Sequence, residues 1–263
     1  MGTVIRMAIC IVASGAFLLD AVSQEQRQGS VEKERALGRQ LGSEIEQRTP
    51  PIGDAAVVSY VSRVAGKLTE SCRPGVPIEV RVIEADQMNG FALPGGYLYL
   101  DTGAISNANS EAELAGILAH LIAHTRAGGS LRSRGVTVVG SWLGYSFQPS
   151  GSGHAVPLSW AQDNRNRVLE ADQAALRCLS DAGYFPGGLV QVLSNPSIMT
   201  ATSSSHPPPA ERLQILKAAT AKLELRGGYI TDTPEFREIK KLVGDLHQGQ
   251  PSRAKAPPSL LRE

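Results

Sequence analysis

The chain has no surplus of charge of either sign. Its 26 Lys and Arg residues face 25 Asp and Glu, a formal net charge of +1. Phosphate binding needs a concentrated basic face, so this balance argues against nucleic acid as the main partner. Aromatic residues are also scarce, at 5%, and no stacking platform for bases stands out. Long apolar runs are missing beyond the first two dozen residues. The best later one, Gly135 to Phe147, is broken by Gly140, Ser141 and Gly144, which leaves no transmembrane segment in the mature chain. What is present is a 42% hydrophobic content over 263 residues. That excludes wholesale disorder and predicts one domain with a well-buried core.

The first residues read as an export signal. Arg6 supplies a positive start, Met7 to Leu19 is an apolar stretch of 13 residues, and Ala21-Val22-Ser23 resembles a cleavage site before Gln24. The apolar stretch falls short of the roughly 20 residues that span a bilayer. Residues 1–23 are therefore expected to be removed, leaving a periplasmic or secreted protein. Cysteine is scarce as well. After cleavage Cys72 and Cys178 would remain, either as a disulfide or as two small buried thiols.

Residues 31–48 are rich in helix formers and stop at Pro50-Pro51, and 55–70 place Val57, Val61, Val64 and Leu68 at helical spacing. Residues 77–84 alternate Ile78, Val80 and Val82, the period of a strand. A strand around Phe91–Pro94 meets another, Tyr97–Asp101, through Gly95-Gly96, a hairpin signal. Ser110 and Glu113 fit a capping box. Behind it Leu114, Ile117, Leu118, Leu121 and Ile122 predict an amphipathic helix. A loop is read over 148–157, and a further helix runs to about Ala182, with Gly183 and Pro186 as its stop. A Ser- and Pro-rich stretch covers 194–209, a short helix follows from Ala210, and Tyr229 to Leu246 gives a brief strand and a last helix. The expected fold class is α+β, with long helices on a small antiparallel sheet. The domain is assigned to 31–246, and 247–263 to a disordered tail.

His120 and His124 stand four apart on the helix after Ser110, so both rings leave one face. Zinc peptidases hold two metal ligands this way in the pattern H-E-x-x-H, where the glutamate serves as general base. Here the run is H-L-I-A-H. Taken alone, the pair reads as two polar surface or satisfied core histidines rather than as a metal site.

A wider pattern surrounds it. The stretch MNGFALPGGYLYLDTGAISNANSEAELAGILAHLIAH, then LEADQAALRCLSDAGYFP, then HPPPAERLQIL follow in order. These closely resemble the three signatures of the zinc metallopeptidase family that contains the CAAX prenyl proteases, HtpX and BepA. The family's patterns are N-A-F-x-x-P-G-G with S-E-x-E-L-A-x-V-L-A-H-E-x-x-H, then E-x-E-A-D…A-G-Y-x-P, then H-P-x-x-x-x-R. The resemblance covers roughly residues 31–246 and implies a zincin-like (gluzincin) domain with a cleft between a sheet edge and the histidine helix.

The resemblance also implies roles, and two of them fail on this chain. The family's catalytic glutamate falls on Leu121, which cannot accept a proton. Its third zinc ligand, the glutamate four residues before the aspartate of E-A-D, falls on Val168, which cannot bind a metal. A catalytic zinc needs three protein ligands and a water, and a positioned general base contributes roughly 10² to 10⁴ in rate. The expectation is therefore no catalytic residue and a pseudoenzyme. Zinc is weakly held at most, by His120, His124 and His206, or not held at all. Asp172 is expected to orient His120 or His124, or else to hydrogen-bond another helix. Asn89, Phe91, Ala92, Leu93, Pro94, Gly95 and Gly96 match the strand along which the family lays an extended peptide, and equally read as an ordinary edge hairpin. The expected partner is a polypeptide or envelope protein, bound by strand addition. Two alternatives stand beside this: an active zinc endopeptidase using Glu170 or Glu113 as base, and a metal-binding protein with no peptide partner.

Overall fold

The computed structural model describes residues 29, 31–47, 49–126, 140–141, 158–199 and 206–249. The export-signal stretch, the 148–157 loop and the chain after 249 lie outside them.

Helix α1 spans 31–46 and α2 spans Ala55–Cys72. Asp54 caps α2, its carboxylate accepting the Ala56 and Val57 amides at 3.0 Å. The spaced apolar residues Val57, Val61, Val64 and Leu68 are all buried. Strand β1 follows at Glu79–Ile83, then β2 at Gly90–Leu93 and β3 at Tyr97–Asp101, the last two joined by a tight 3₁₀ turn over Pro94–Gly96. Gly95 and Gly96 adopt φ of 77° and 91°, which a side chain would resist. A Cβ on Gly95 would also lie 2.5 Å from the Arg35 Cα, so α1 packs directly on the hairpin tip.

The sheet order is β1-β3-β2-β4, with β4 a two-residue strand, Gly140–Ser141. The β2–β3 pair is antiparallel as expected, β4 pairs antiparallel with β2 without having been foreseen, and β1 runs parallel to β3. The reason lies in the 84–89 connection. It returns the chain at the same end of the sheet but leaves one strand's width, and β3 fills that gap. Hydrogen bonds from Gly103 N–H to Ala85 O and from Asp101 N–H to Asn89 O tie the connection to the end of β3.

The central strand β3 is buried throughout, and its alternation defines two faces. Tyr97 and Tyr99, with Ile83 and Leu93, pack on Leu41 and Ile45 of α1. Leu98 and Leu100, with Val82 and Ala92, enter the main core with α2 and the helix that follows.

That helix is α4, Glu111–Arg126, preceded by a short α3 at Thr102–Asn107. The capping box forms: the Glu113 amide donates to Ser110 Oγ at 3.3 Å, and Glu113 accepts the Asn109 amide at 2.9 Å. The expected one-sided stripe does not describe α4 well, because every residue from Glu111 to Ala123 is buried. A helix enclosed by the sheet and other helices has no polar face to show. Helix α5 runs Leu158–Asp181 and ends on Gly183 at φ 77°, with the Tyr184 amide returning to Leu179 O at 2.9 Å.

Three short elements had no clear sequence signal: α3, α6 at Gly187–Leu193, and α7 at Pro196–Met199. Helix α6 begins on two glycines because it crosses α4 closely; a Cβ on Gly188 would lie 2.4 Å from Ala112 O. Helix α8 covers Pro209–Thr220 and α9 covers Pro234–Gly249, so α9 includes 247–249 of the stretch read as tail. The brief strand at 229–230 is a single bridge between Tyr184 and Ile230. Cys72 and Cys178 are disulfide-bonded with Cα atoms 4.9 Å apart, tying α2 to α5. Among the described residues no helix is long and apolar enough to cross a membrane.

Candidate functional site

Helix α4 carries His120 and His124 on one face, one turn apart. Their Nε2 atoms approach to 3.0 Å with ring planes at 79°. His120 is fully buried, and its Nδ1 lies 2.8 Å from Asp172 Oδ1. Asp172 comes from α5 and is itself fully buried. Its carboxylate also receives two bonds from Arg212 of α8, Nε to Oδ2 and Nη2 to Oδ1, both at 2.8 Å. Such a forked pair is the strongest geometry available to a carboxylate.

The electrostatics follow from this packing. Burial alone would raise the Asp172 pKa, but the Arg212 guanidinium and then His120 hold it well below the usual carboxylate range. Asp172 is therefore a carboxylate at every ordinary pH, and His120 Nδ1 must present a proton to it. Burial, and after it the neighbouring His120 and His206, push His124 well below the usual histidine range. His206, buried in the segment before α8, thus stands close enough to His124 to act on it electrostatically.

The sequence-derived candidates separate into three groups. His120, His124, Asp172 and His206 come together around the end of α4. Leu121 and Val168, at the positions of the family's two carboxylates, are both 0% exposed. Leu121 packs toward the start of β2, where its Cδ1 is 2.9 Å from where a Cβ of Gly90 would be. Neither proposed substitute base is placed for the task. Glu170 is exposed. Glu113 lies nearly two turns before His120, roughly 10 Å along the helix axis, and is bound to Asn109.

The hairpin candidates lie mostly inside. Asn89, Ala92, Leu93, Gly95 and Gly96 are buried, while Phe91 and Pro94 are half-buried. Phe91 stacks on Tyr99 with ring centroids 5.1 Å apart. Arg35 of α1 donates to Gly95 O at 2.9 Å and to Pro77 O at 3.0 Å, covering the hairpin tip. On the outer side of β2, β4 pairs with Phe91 and Ala92.

The zinc that the resemblance implies does not fit the residues present. The imidazoles of His120 and His124 converge with His206 nearby, but a valine stands where the family's third ligand belongs. Among the described residues no group of three or more His, Cys, Asp or Glu side chains is placed to hold a metal. Sequence reasoning missed the role of Arg212. The signal was there, in the arginine of HPPPAER, but nothing local says which carboxylate it meets.

Comparison with known proteins agrees with the fold and the signatures. The chain is 26% identical over 212 residues to the beta-barrel assembly-enhancing protease of Yersinia pestis, covering 70% of this chain and 43% of that protein. It is 25% identical over 197 residues to the putative beta-barrel assembly-enhancing protease of Vibrio cholerae serotype O1, covering 68% and 41%. The chain thus spans about two fifths of the length of the curated relatives it matches. The sequence profile of peptidase family M48 matches residues 51–220, and with the zincin-like α+β architecture around the histidine helix, the chain belongs to that family.

Proposed function

We propose that this protein is an exported, catalytically inactive member of its family that binds polypeptide in the former active-site cleft. The observation that carries the reading is the replacement of both working carboxylates by fully buried apolar side chains, Leu121 and Val168. Among the described residues no general base takes the place of Leu121 beside His120, and no third ligand completes a metal set. Without a metal to acidify it, a water is no nucleophile at neutral pH.

Binding is assigned to the sheet edge beside α4. Strand β4 is the outermost strand on that side, and an extended peptide adds there through main-chain hydrogen bonds. The relatives' names place them in β-barrel assembly, so the partner class we infer is an extended segment of an envelope protein. The Cys72–Cys178 disulfide supports an oxidising compartment, in keeping with export to the periplasm or beyond.

The test uses the purified protein with an unfolded protein substrate, with and without a chelator, beside a fluorescence-anisotropy titration of labelled β-strand peptides. Saturable binding without cleavage is the expected result. Turnover that disappears with chelator and in His120→Ala would overturn the inactive reading, and absence of any peptide binding would overturn the binding assignment.

A further inference from the structure

We propose that His120 and His124 form a metal-independent hydrogen-bonded pair of fixed tautomers. Together with Asp172 and Arg212, the pair cross-links α4, α5 and α8 at the point where a zinc ion holds the parts of an active relative. The inference deepens the inactive reading above, but its test observes the rings rather than proteolysis, so either can fail alone.

The proton order follows link by link from the geometry. Arg212 donates twice to Asp172, which keeps it a carboxylate and therefore an acceptor. Asp172 Oδ1 lies 2.8 Å from His120 Nδ1, so that nitrogen carries a proton. A neutral imidazole has one N–H, and His120 Nε2 is then a lone pair. At 3.0 Å from it stands His124 Nε2. Two facing lone pairs at that distance repel, so His124 Nε2 carries the proton and donates. The chain therefore reads Arg212 to Asp172, His120 to Asp172, and His124 to His120, with each bond running toward the buried carboxylate.

This order is incompatible with a metal. Two ligand histidines on one helix must both present Nε2 lone pairs, so both must be Nδ1–H tautomers. Here only His120 is. Converting His124 would break the bond between the rings, and among the described residues no group of three His, Cys, Asp or Glu side chains is placed to hold a zinc in its stead. In an active relative the third ligand supplies charge and completes the set; Val168 supplies neither. The pair thus satisfies itself, as buried polar groups must. The two substitutions then need not leave a damaged centre, because the remaining polar atoms close on one another.

The tautomers can be read directly. Long-range ¹H–¹⁵N correlation of the imidazole rings in metal-free, full-length protein separates protonated from unprotonated ring nitrogens. His120 is expected as Nδ1–H and His124 as Nε2–H, and the pattern is expected to stay unchanged when zinc is added in excess. Both rings as Nδ1–H, or His120 as Nε2–H, would overturn the proposal. So would a zinc-induced switch of His124 to Nδ1–H, because the pair would then be a metal site after all.

Discussion

The two ends of α4 treat buried carboxylates in opposite ways. At its start, Glu111 and Glu113 are both buried and both fully engaged. Glu111 accepts from the Tyr184 hydroxyl at 3.1 Å and from Thr233, and Glu113 accepts from Asn109. At its far end the family's glutamate has become Leu121, set against Gly90 and β2. The donors at the two ends differ. A helix N-terminus offers unpaired amides and a favourable dipole, and the hydroxyls of Tyr184 and of Thr233, just before α9, add to them. Beside His120 the carboxylate of Asp172 draws its donors from Arg212 and His120. At both ends of α4 the buried acids that remain are met by hydrogen-bond donors, and the position of the lost glutamate is held by an apolar side chain.

Removing the donors from the surviving carboxylate is the strongest way to break this comparison. Arg212→Ala leaves Asp172 buried with its main partner gone, and a loss of about 3–5 kcal/mol is expected in denaturant unfolding. Retention of wild-type stability would mean that the far end tolerates an uncompensated acid as well as the near end does.

Asp101 sharpens the contrast, being a buried acid at the end of β3 whose pKa burial pushes up from 3.8 to about 7. A raised pKa contributes stability that is fully present below about pH 4 and is lost as pH rises through 7. Over that window the loss is about 4 kcal/mol by the usual conversion. Asp101→Asn should flatten the pH profile of stability between these limits and be the more stable protein at pH 8. A profile with the same slope in both proteins would assign the dependence elsewhere.

Leu121→Glu restores the family residue at the far end. It is expected to cost about 3 kcal/mol, since it places a carboxylate at a position that is 0% exposed, and to add no proteolysis by itself. Adding Val168→Glu supplies the missing ligand, and calorimetry of the folded double variant should then detect zinc binding tighter than any in the parent. A folded double variant that ignores zinc would show that the cleft has drifted beyond the two side chains.

The smallest expected effect is at the well-served end. Glu113→Ala removes a capping interaction and should cost about 1 kcal/mol. A loss as large as that of Arg212→Ala would erase the distinction between the two ends.

What the sequence determined by itself was everything held by short-range hydrogen bonds and local periodicity. The capping box at Ser110, the glycine stop at Gly183, the Gly95-Gly96 turn and the apolar spacing of α2 were all legible, because each is settled within a few residues of chain. The one-turn spacing of His120 and His124 was legible for the same reason, as were the two lost carboxylates once the family signatures were aligned. Only the tertiary structure decided the rest. The parallel pairing of β1 with β3, the seating of α1 on the hairpin tip, and β4 on the outer side of β2 join segments whose sequences carry no mark of one another. Arg212 reaching Asp172 across 40 positions is the plainest case. Which donor meets a buried carboxylate depends on how α5 and α8 pack, and that packing follows from the burial of the whole core rather than from either helix alone.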